Sequence, residues 1–589
     1  MCGIAGIMAR SGSAPDAAAL DALTAALAHR GPDGQGRYVS DGVGMVQTRL
    51  AIIDLETGDQ PFYGDQNGNK AALVANGEIY NYVELKLDMG RVDFQTKSDC
   101  EPPLHLYLRH GLDFARHLRG MYALALHDPV ENSLVLARDP FGIKPLYYAE
   151  TDDGLAFASE PQALHRAGLV KPSLNAKSRD ELLQMQFTTG SETVFEGIKR
   201  LLPGETAVVR QGRVAERLFH KALPEGGPVQ ISKADALRRL DEILNDSVGV
   251  HQRADVPYGM FLSGGIDSSV LLAMMTRLNV RPVQAFTAGF SGTAVADERD
   301  HARVVAKATG ADHSEVEFNE ADFWALLPEI AAAMDDPAAD YAVLPTYKLA
   351  AEAKRAGLKV VLTGEGGDEL FGGYGRYRRA RRPRWLGGRP MRDRGIFDGL
   401  GVLRDPAPGW RQGFERSEQD AAQGGRTKLQ ALQAADCADW LPNDLLTKLD
   451  RCLMAHGVEG RVPLLDPKLA DFAMRLPDAL KVRHGRGKWL LRKWLETALP
   501  VARPFDKKRG FTVPVGEWIA LEGRRLGPLV AKQPGIEEIC HPGEVESLFA
   551  ANGKKAGQAA WSLLFYALWH RRHIFGQAPD GSVFDVLGG

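Results

Sequence analysis

Between Tyr258 and Gly364 short apolar runs alternate with helical stretches, and few folds accommodate that order. YGMFLS (258–263) leads through a glycine pair into DSSVLLAMMTRL (267–278). QAFTAGF (284–290), ERDHARVVAKATG (298–310), TYKLAAEAKRAG (346–357) and KVVLTG (359–364) then follow. Gly310 and Gly357 sit where a helix would stop. Strands alternating with helices imply βαβ units around a parallel sheet. The unit begins at a helix-start signature, Ser232 with Asp235 three residues on, followed by Leu237, Leu240, Ile243, Leu244 and Val248 at helical spacing. Beyond about residue 380 the chain reads as mainly helical.

The first part differs. VGMVQTRLAIID (43–54), AALVANGEIYN (71–81), MYALALHD (121–128), SLVLARD (133–139) and GLAFASE (154–160) are strand-length runs bounded by turn residues. They predict a β-rich domain over 2–210 with a few helices. Residues 211–230 are expected to connect it to a second domain over 231–575, because KALPEGGPVQ (221–230) is rich in Pro and Gly and lacks apolar periodicity. Hydrophobic content of 44% and charged content of 25% over 589 residues leave ample material for two large cores.

Near neutrality (72 Lys+Arg against 75 Asp+Glu, net −3) argues against a general nucleic-acid binder, which needs a basic excess to neutralise phosphates. The Arg-rich stretch GRYRRARRPRW (375–385) is the one strong local charge feature. Without flanking basic residues it reads as an exposed surface segment. No apolar run approaches the length of a membrane span. The N-terminus makes a poor signal peptide, and the five cysteines form no CxxC pair, so neither zinc nor a disulfide framework is indicated. A reducing cytoplasm is the expected compartment.

Three clusters carry chemistry. Methionine before a small residue is commonly trimmed, which would expose Cys2 as a thiol and a free α-amine on one residue. An amine with pKa about 7.7–8.0 can activate that thiol at neutral pH. Arg49 offers a bidentate clamp for a carboxylate. Asn76 and Gly77 supply the donor types of an oxyanion hole, and Glu78 with Asp99 could hold an α-ammonium. Together these suggest hydrolysis of an amino-acid side-chain amide.

The second cluster is FLSGGIDSS (261–269): a strand, two glycines and a helix start, the arrangement that cradles phosphate. It is no Walker A loop. Asp267 in such a loop requires a cation beside it, hence Mg²⁺. The third, TGEGGDELFGGY (363–374), places Glu365, Asp368 and Glu369 at the carboxyl end of a strand, where ligands and metals bind in parallel sheets.

CGIAGI (2–7), HRGPDG (29–34), TRLAIIDL (48–55), NGEIYNY (76–82), SDCE (98–101), RDPFGIKPLYY (138–148) and ASEPQAL (158–164) resemble the class II glutamine amidotransferase domain. The resemblance implies an N-terminal-nucleophile αββα sandwich in which Cys2 attacks glutamine. It assigns Arg49 to the glutamine carboxylate, Glu78 and Asp99 to its ammonium, and Asn76 with Gly77 to the oxyanion. SDCEPP departs from the usual SDTE plus two aliphatic residues; if Asp99 caps a helix, Pro102 and Pro103 fall in its first turn, where they are tolerated.

SGGIDSS is similar to the pyrophosphate loop of N-type ATP pyrophosphatases. DRCLMAHGVEGRVPLLD (450–466) and KKRGFTVP (507–514) complete a resemblance to the asparagine synthetase family across roughly residues 1–520. That family implies an α/β parallel-sheet ATP-pyrophosphatase domain with a helical C-terminal part. Leu262, Ser263, Gly264, Gly265, Asp267, Ser268, Ser269, Thr363 and Gly364 would bind ATP, Asp267 and Asp368 would hold Mg²⁺, Glu365 would act as base or acceptor-site carboxylate, and Lys508 would stabilise the activated intermediate. Glutamine, aspartate and ATP are the implied partners, in a homodimer with neither membrane nor nucleic acid. Amidotransferases of this architecture that amidate another carboxylate, such as that of a cell-surface saccharide or peptide, share the same motifs.

Overall fold

The computed structural model describes residues 2–66, 69–291, 293, 298–506 and 513–589. The N-terminal part contains twelve strands: β1 Cys2–Ala9, β2 Gly34–Ser40, β3 Val43–Arg49, β4 Phe62–Gln66, β5 Asn69–Ile79, β6 Gly120–Asp128, β7 Ser133–Arg138, β8 Tyr147–Glu150, β9 Gly154–Ala158, β10 Lys199–Arg200, β11 Glu205–Arg210 and β12 Arg213–Phe219. They form two antiparallel sheets, ordered β10-β8-β9-β1-β3-β2 and β12-β11-β7-β6-β5-β4.

Side-chain alternation explains the layering. Successive residues of a strand face opposite sides of its sheet. Ala72 and Val74 of β5, Ala123 and Ala125 of β6, and Leu134 and Leu136 of β7 meet Ile4, Met8, Met45 and Phe157 of the other sheet in a shared core. Their neighbours Leu73, Ala75, Leu124, Leu126 and Val135 turn the other way and pack with Leu85, Leu104 and Leu106 of the helices Tyr82–Met89 and Pro102–His110. Helix Ala17–Leu27 lies with Ala5, Val46 and Ala156 on the outer face of the first sheet. The order helix, sheet, sheet, helix is the expected sandwich.

The second part holds a five-stranded parallel sheet, ordered β15-β14-β13-β16-β17: β13 Tyr258–Phe261, β14 Gln284–Gly289, β15 Asp312–Glu317, β16 Val360–Leu362 and β17 Glu459–Arg461. Ser232 caps helix Lys233–His251 by accepting from Asp235 N, which buries Leu240, Leu244 and Val248. Gly310 takes φ +68° after helix Arg299–Thr309, the left-handed turn that only glycine adopts at little cost.

Four details differ from expectation. The first domain's sheet continues past residue 210, because β12 pairs with β11 through Phe219; the connection is correspondingly shorter. The second part continues past residue 575: helix Val583–Gly588 buries Val583 and Leu587 in the main core. β17 adds a strand inside a stretch that reads as helical. Helix Pro102–His110 is capped by Glu101 rather than Asp99, with both prolines in its first turn, where the N–H groups have no intrahelical partners.

Candidate active sites

Cys2 opens β1 and is buried, with Arg49 opposite it on β3. Its backbone N–H donates to Asn76 Oδ1 at 3.0 Å. That bond fixes the amide orientation and leaves Asn76 Nδ2 buried with no hydrogen-bond partner among the described residues. A buried, unspent donor costs free energy until something accepts from it. Here it stands beside Cys2. Gly77 is required by close packing: a Cβ there would lie 2.1 Å from Met121 O on β6. Burial pushes the Cys2 thiol above its ordinary pKa, so its attack needs a base.

Glu78 and Asp99 are both buried close by. Asp99 accepts from Ile79 N at 2.7 Å. Burial and then the neighbouring Asp99 and Glu459 push Glu78 well above the usual carboxylate range; burial likewise raises Asp99. Arg461 opposes the rise in both without cancelling it, and two carboxyl groups so close together favour a further cation beside them. Arg49 holds the exposed Asp59 at 2.8 Å and the carbonyl of Asp54. Cys100, at the departure from SDTE, donates its S–H to Gly77 O at 3.4 Å.

The parallel sheet carries a cavity of about 740 Å³ at its carboxyl end. Leu262, Ser263, Gly264, Gly265, Asp267 and Ser268 line one wall, and Thr363, Gly364, Glu365 and Asp368 another. Gly265 caps the thirteen-residue helix Ile266–Leu278, whose N-terminus faces the cavity and favours anions. Ser269 is the exception, turned into its own helix where its Oγ donates to Gly265 O at 2.8 Å. The two loops meet at Asp267: a Cβ on Gly367 would lie 2.4 Å from its Oδ1. Glu365 is raised by burial, with Lys448 opposing and Asp340, Asp267 and Asp368 adding to the rise.

Residues 239–571 match the family described as Asparagine synthase, and residues 1–220 match the glutamine amidotransferase domain. The chain is 31% identical to asparagine synthetase [glutamine-hydrolyzing] 1 of Bacillus subtilis, over 98% of this chain and 97% of that one. It is 33% identical to a putative asparagine synthetase [glutamine-hydrolyzing] of Mycobacterium tuberculosis, over 97% of each. Asparagine synthetase B of Escherichia coli is 30% identical over 84% of this chain and 79% of its own. The chain belongs to the asparagine synthase family.

Within this family frame, several site residues escape sequence reasoning. Lys488 extends between Asp267 and Asp368, bonding the first and standing 2.7 Å from Asp368 Oδ1. It adopts the left-handed conformation (φ +55°), uncommon for a residue with a side chain and a form of strain met at functional sites. Burial opposes its charge, but the two carboxylates hold its pKa above the ordinary lysine value. Glu369, by contrast, is one of the three carboxylates of the third sequence cluster; it accepts from Tyr374 OH at 2.6 Å, and burial with Asp368 raises it to about 7. Arg461 of β17 reaches Glu78 at 3.1 Å, and Arg30 Nε donates to Cys2 O at 3.2 Å. A lysine after HGRG and an arginine in a short strand carry no local mark of these contacts.

The Mg²⁺ expectation fits the donor set. Asp267 and Asp368 converge on one cationic centre, the Lys488 ammonium, so a cation is favoured at that spot. Among the described residues no cluster of three or more acidic, His or Cys ligands occurs. Magnesium bound through one or two carboxylates plus phosphate oxygens needs none. Lys508 lies outside the described residues. Of the Arg-rich stretch, Arg376 pairs with the buried Asp436 at 2.7 Å, Arg381 with Asp478 at 3.3 Å, and Arg378 with the carbonyl of Gly485. No helix of the described residues is long and apolar enough to cross a membrane.

Proposed function

We propose that this chain is a glutamine-dependent asparagine synthetase in which the Cys2 site and the 740 Å³ cavity share one molecule of ammonia. The observation that carries the reading is the orphaned Asn76 amide beside a buried Cys2, in a chain similar over nearly its full length to glutamine-hydrolysing synthetases. With Met1 removed, the α-amine of Cys2 accepts the thiol proton as sulfur attacks the glutamine carboxamide. Asn76 Nδ2 and the Gly77 backbone donate to the oxyanion, Arg49 exchanges Asp59 for the substrate carboxylate, and Glu78 with Asp99 takes its ammonium. Ammonia leaves, and water releases glutamate from the thioester.

In the cavity the β-carboxylate of aspartate attacks the α-phosphorus of ATP, expelling pyrophosphate and forming an acyl-adenylate. Ser263, Gly264, Gly265 and Ser268 orient the phosphates at the helix N-terminus; Thr363, Gly364 and Leu262 border the nucleotide. Asp267 and Asp368 would hold Mg²⁺, which supplies neutralisation of phosphate charge when bound. Lys488 steadies the same negative charge, and Lys508 belongs to this reading by family pattern only. Glu365 stands where a base for the incoming ammonia is needed. Ammonia then displaces AMP, giving asparagine. A homodimer in the cytoplasm belongs to the same reading.

Product analysis tests this: glutamine, ATP and Mg²⁺ are supplied with and without aspartate. Aspartate-dependent asparagine with equal AMP and pyrophosphate is expected. Cys2→Ala should lose glutaminase yet keep making asparagine from ammonium. Glutamate release without aspartate-dependent AMP would move the acceptor to another carboxylate.

A further inference from the structure

One short helix, Thr447–Met454, faces both sites. Lys448, at one end, lines the cavity near Glu365. Asp450, less than one turn further on, is linked to Cys2 through Arg30: Asp450 Oδ2 accepts from Arg30 Nη1 at 2.8 Å, and Arg30 Nε donates to Cys2 O at 3.2 Å. At about 1.5 Å rise per residue, Lys448 and Arg451 are separated by only about 4.5 Å along the axis.

A second segment, residues 335–340, runs beside this helix and is tied to it twice. Arg451 Nε donates to Asp335 Oδ1 at 2.6 Å, and Lys448 Nζ to Asp340 Oδ2 at 3.1 Å. Amidotransferase residues hold the segment from their side. Tyr147 OH and Arg200 Nε both donate to Asp336 Oδ2 at 2.7 Å, Gln162 N to Asp335 Oδ2 at 3.1 Å, and Gln186 Nε2 to Ala339 O at 2.7 Å. The long helix Lys554–His573 closes the other side: Trp569 Nε1 donates to Asp335 O at 3.3 Å and Trp561 Nε1 to Ala339 O at 2.7 Å.

We infer that helix 447–454 and segment 335–340, cross-linked at both ends and clamped by Trp561 and Trp569, form a rigid strut that sets the register between the two active sites. Asp335, Arg451, Trp561 and Trp569 are therefore positioning residues for ammonia transfer. The inference rests on the proposed function. Two cross-links at the two ends of segment 335–340 resist both its sliding and its rotation against the helix. The arrangement also gives the long helix a role that its apolar pattern alone does not disclose.

The readout is coupling. Full-length parent, Asp335→Asn, Trp561→Phe and Trp569→Phe are assayed for glutamate released and asparagine formed from glutamine, and for asparagine formed from ammonium. A loosened strut leaves glutaminase and ammonium-dependent synthesis within about twofold of the parent while asparagine per glutamate falls by about threefold or more, the scale on which residues away from ligands alter coupling. An adhesive role alone predicts that all three rates fall together, and that result overturns the inference. So does an unchanged ratio in the two Trp→Phe variants, which keep an aromatic ring, remove the N–H donor and decide the matter if Asp335→Asn fails to fold. A parent that makes no asparagine from either nitrogen source overturns the proposed function, and the inference with it.

Discussion

Gly367→Ala tests whether the cavity depends on the close approach of its two loops. A Cβ at this position would lie 2.4 Å from both Cγ and Oδ1 of Asp267. Comfortable separation is about 3.5 Å, so Asp267 or the 363–368 loop must retreat by about 1 Å. A misplacement of about 1 Å in a catalytic group costs about 10²-fold in rate, or about 2.7 kcal/mol of barrier. Gly367 opens helix Gly367–Phe371 without a positive φ, so the backbone accepts alanine and the overpacking should be offset in part by better helix propensity. AMP formation from aspartate, ATP and ammonium should fall by about two orders of magnitude, with glutaminase within twofold and thermal midpoint little changed. Gly364→Ala places its Cβ 3.0 Å from Asp267 Cβ, asks for a smaller shift, and should lose less. Equal activity in Gly367→Ala and the parent would show that the position of Asp267 does not matter to adenylation.

Asn76→Ala removes both the cap on Cys2 N and the orphaned Nδ2 donor. Loss of one oxyanion donor costs about 10²–10³ in kcat, so steady-state glutaminase should fall by that factor while ammonium-dependent synthesis holds. Glu369 is raised from 4.5 to about 7, so the native state binds more protons than the unfolded chain between those values. Its stabilising contribution is present below pH about 4.5 and is lost as pH rises through about 7, by about 3 kcal/mol at most. Urea midpoints taken from pH 5 to 8 should therefore fall less steeply in Glu369→Gln than in the parent; parallel profiles would refute the assignment.

What could be read in advance follows from how local each feature is. Strands β3, β5, β6, β7 and β9 announce themselves because alternate residues face two different apolar cores, and the phosphate loop because strand, glycine pair and helix start are consecutive. Cys2, Asn76, Glu78 and Asp99 were legible as donor and carboxylate types and do come together. Lys488 was not, since its function depends on meeting Asp267 from 221 positions away. β17 was hidden because three residues, two of them charged, satisfy no apolar pattern; its charges are buried against partners from the other domain. β12 reads as linker because its largely exposed residues alternate too weakly to mark a sheet edge.

That same strand joins the chemistry of the two halves. β17 pairs with β16 in register Leu362↔Arg461, and the chain leaving β16 carries Thr363, Gly364, Glu365 and Asp368 to the cavity. From β17 itself, Arg461 bonds Glu459 at 2.6 Å and reaches Glu78, beside the Cys2 site, at 3.1 Å. A buried Glu78 beside Asp99 needs a nearby cation, and the one supplied belongs to the parallel sheet that carries the cavity. Removing one member of such a buried set costs about 3–5 kcal/mol, because the remaining charges cannot be resolvated. The amidotransferase half therefore depends on the synthetase sheet for its electrostatic balance, so separating the halves would expose Glu78 and Arg461 together. Covalent continuity of the two domains thus serves the Cys2 site's own charge balance.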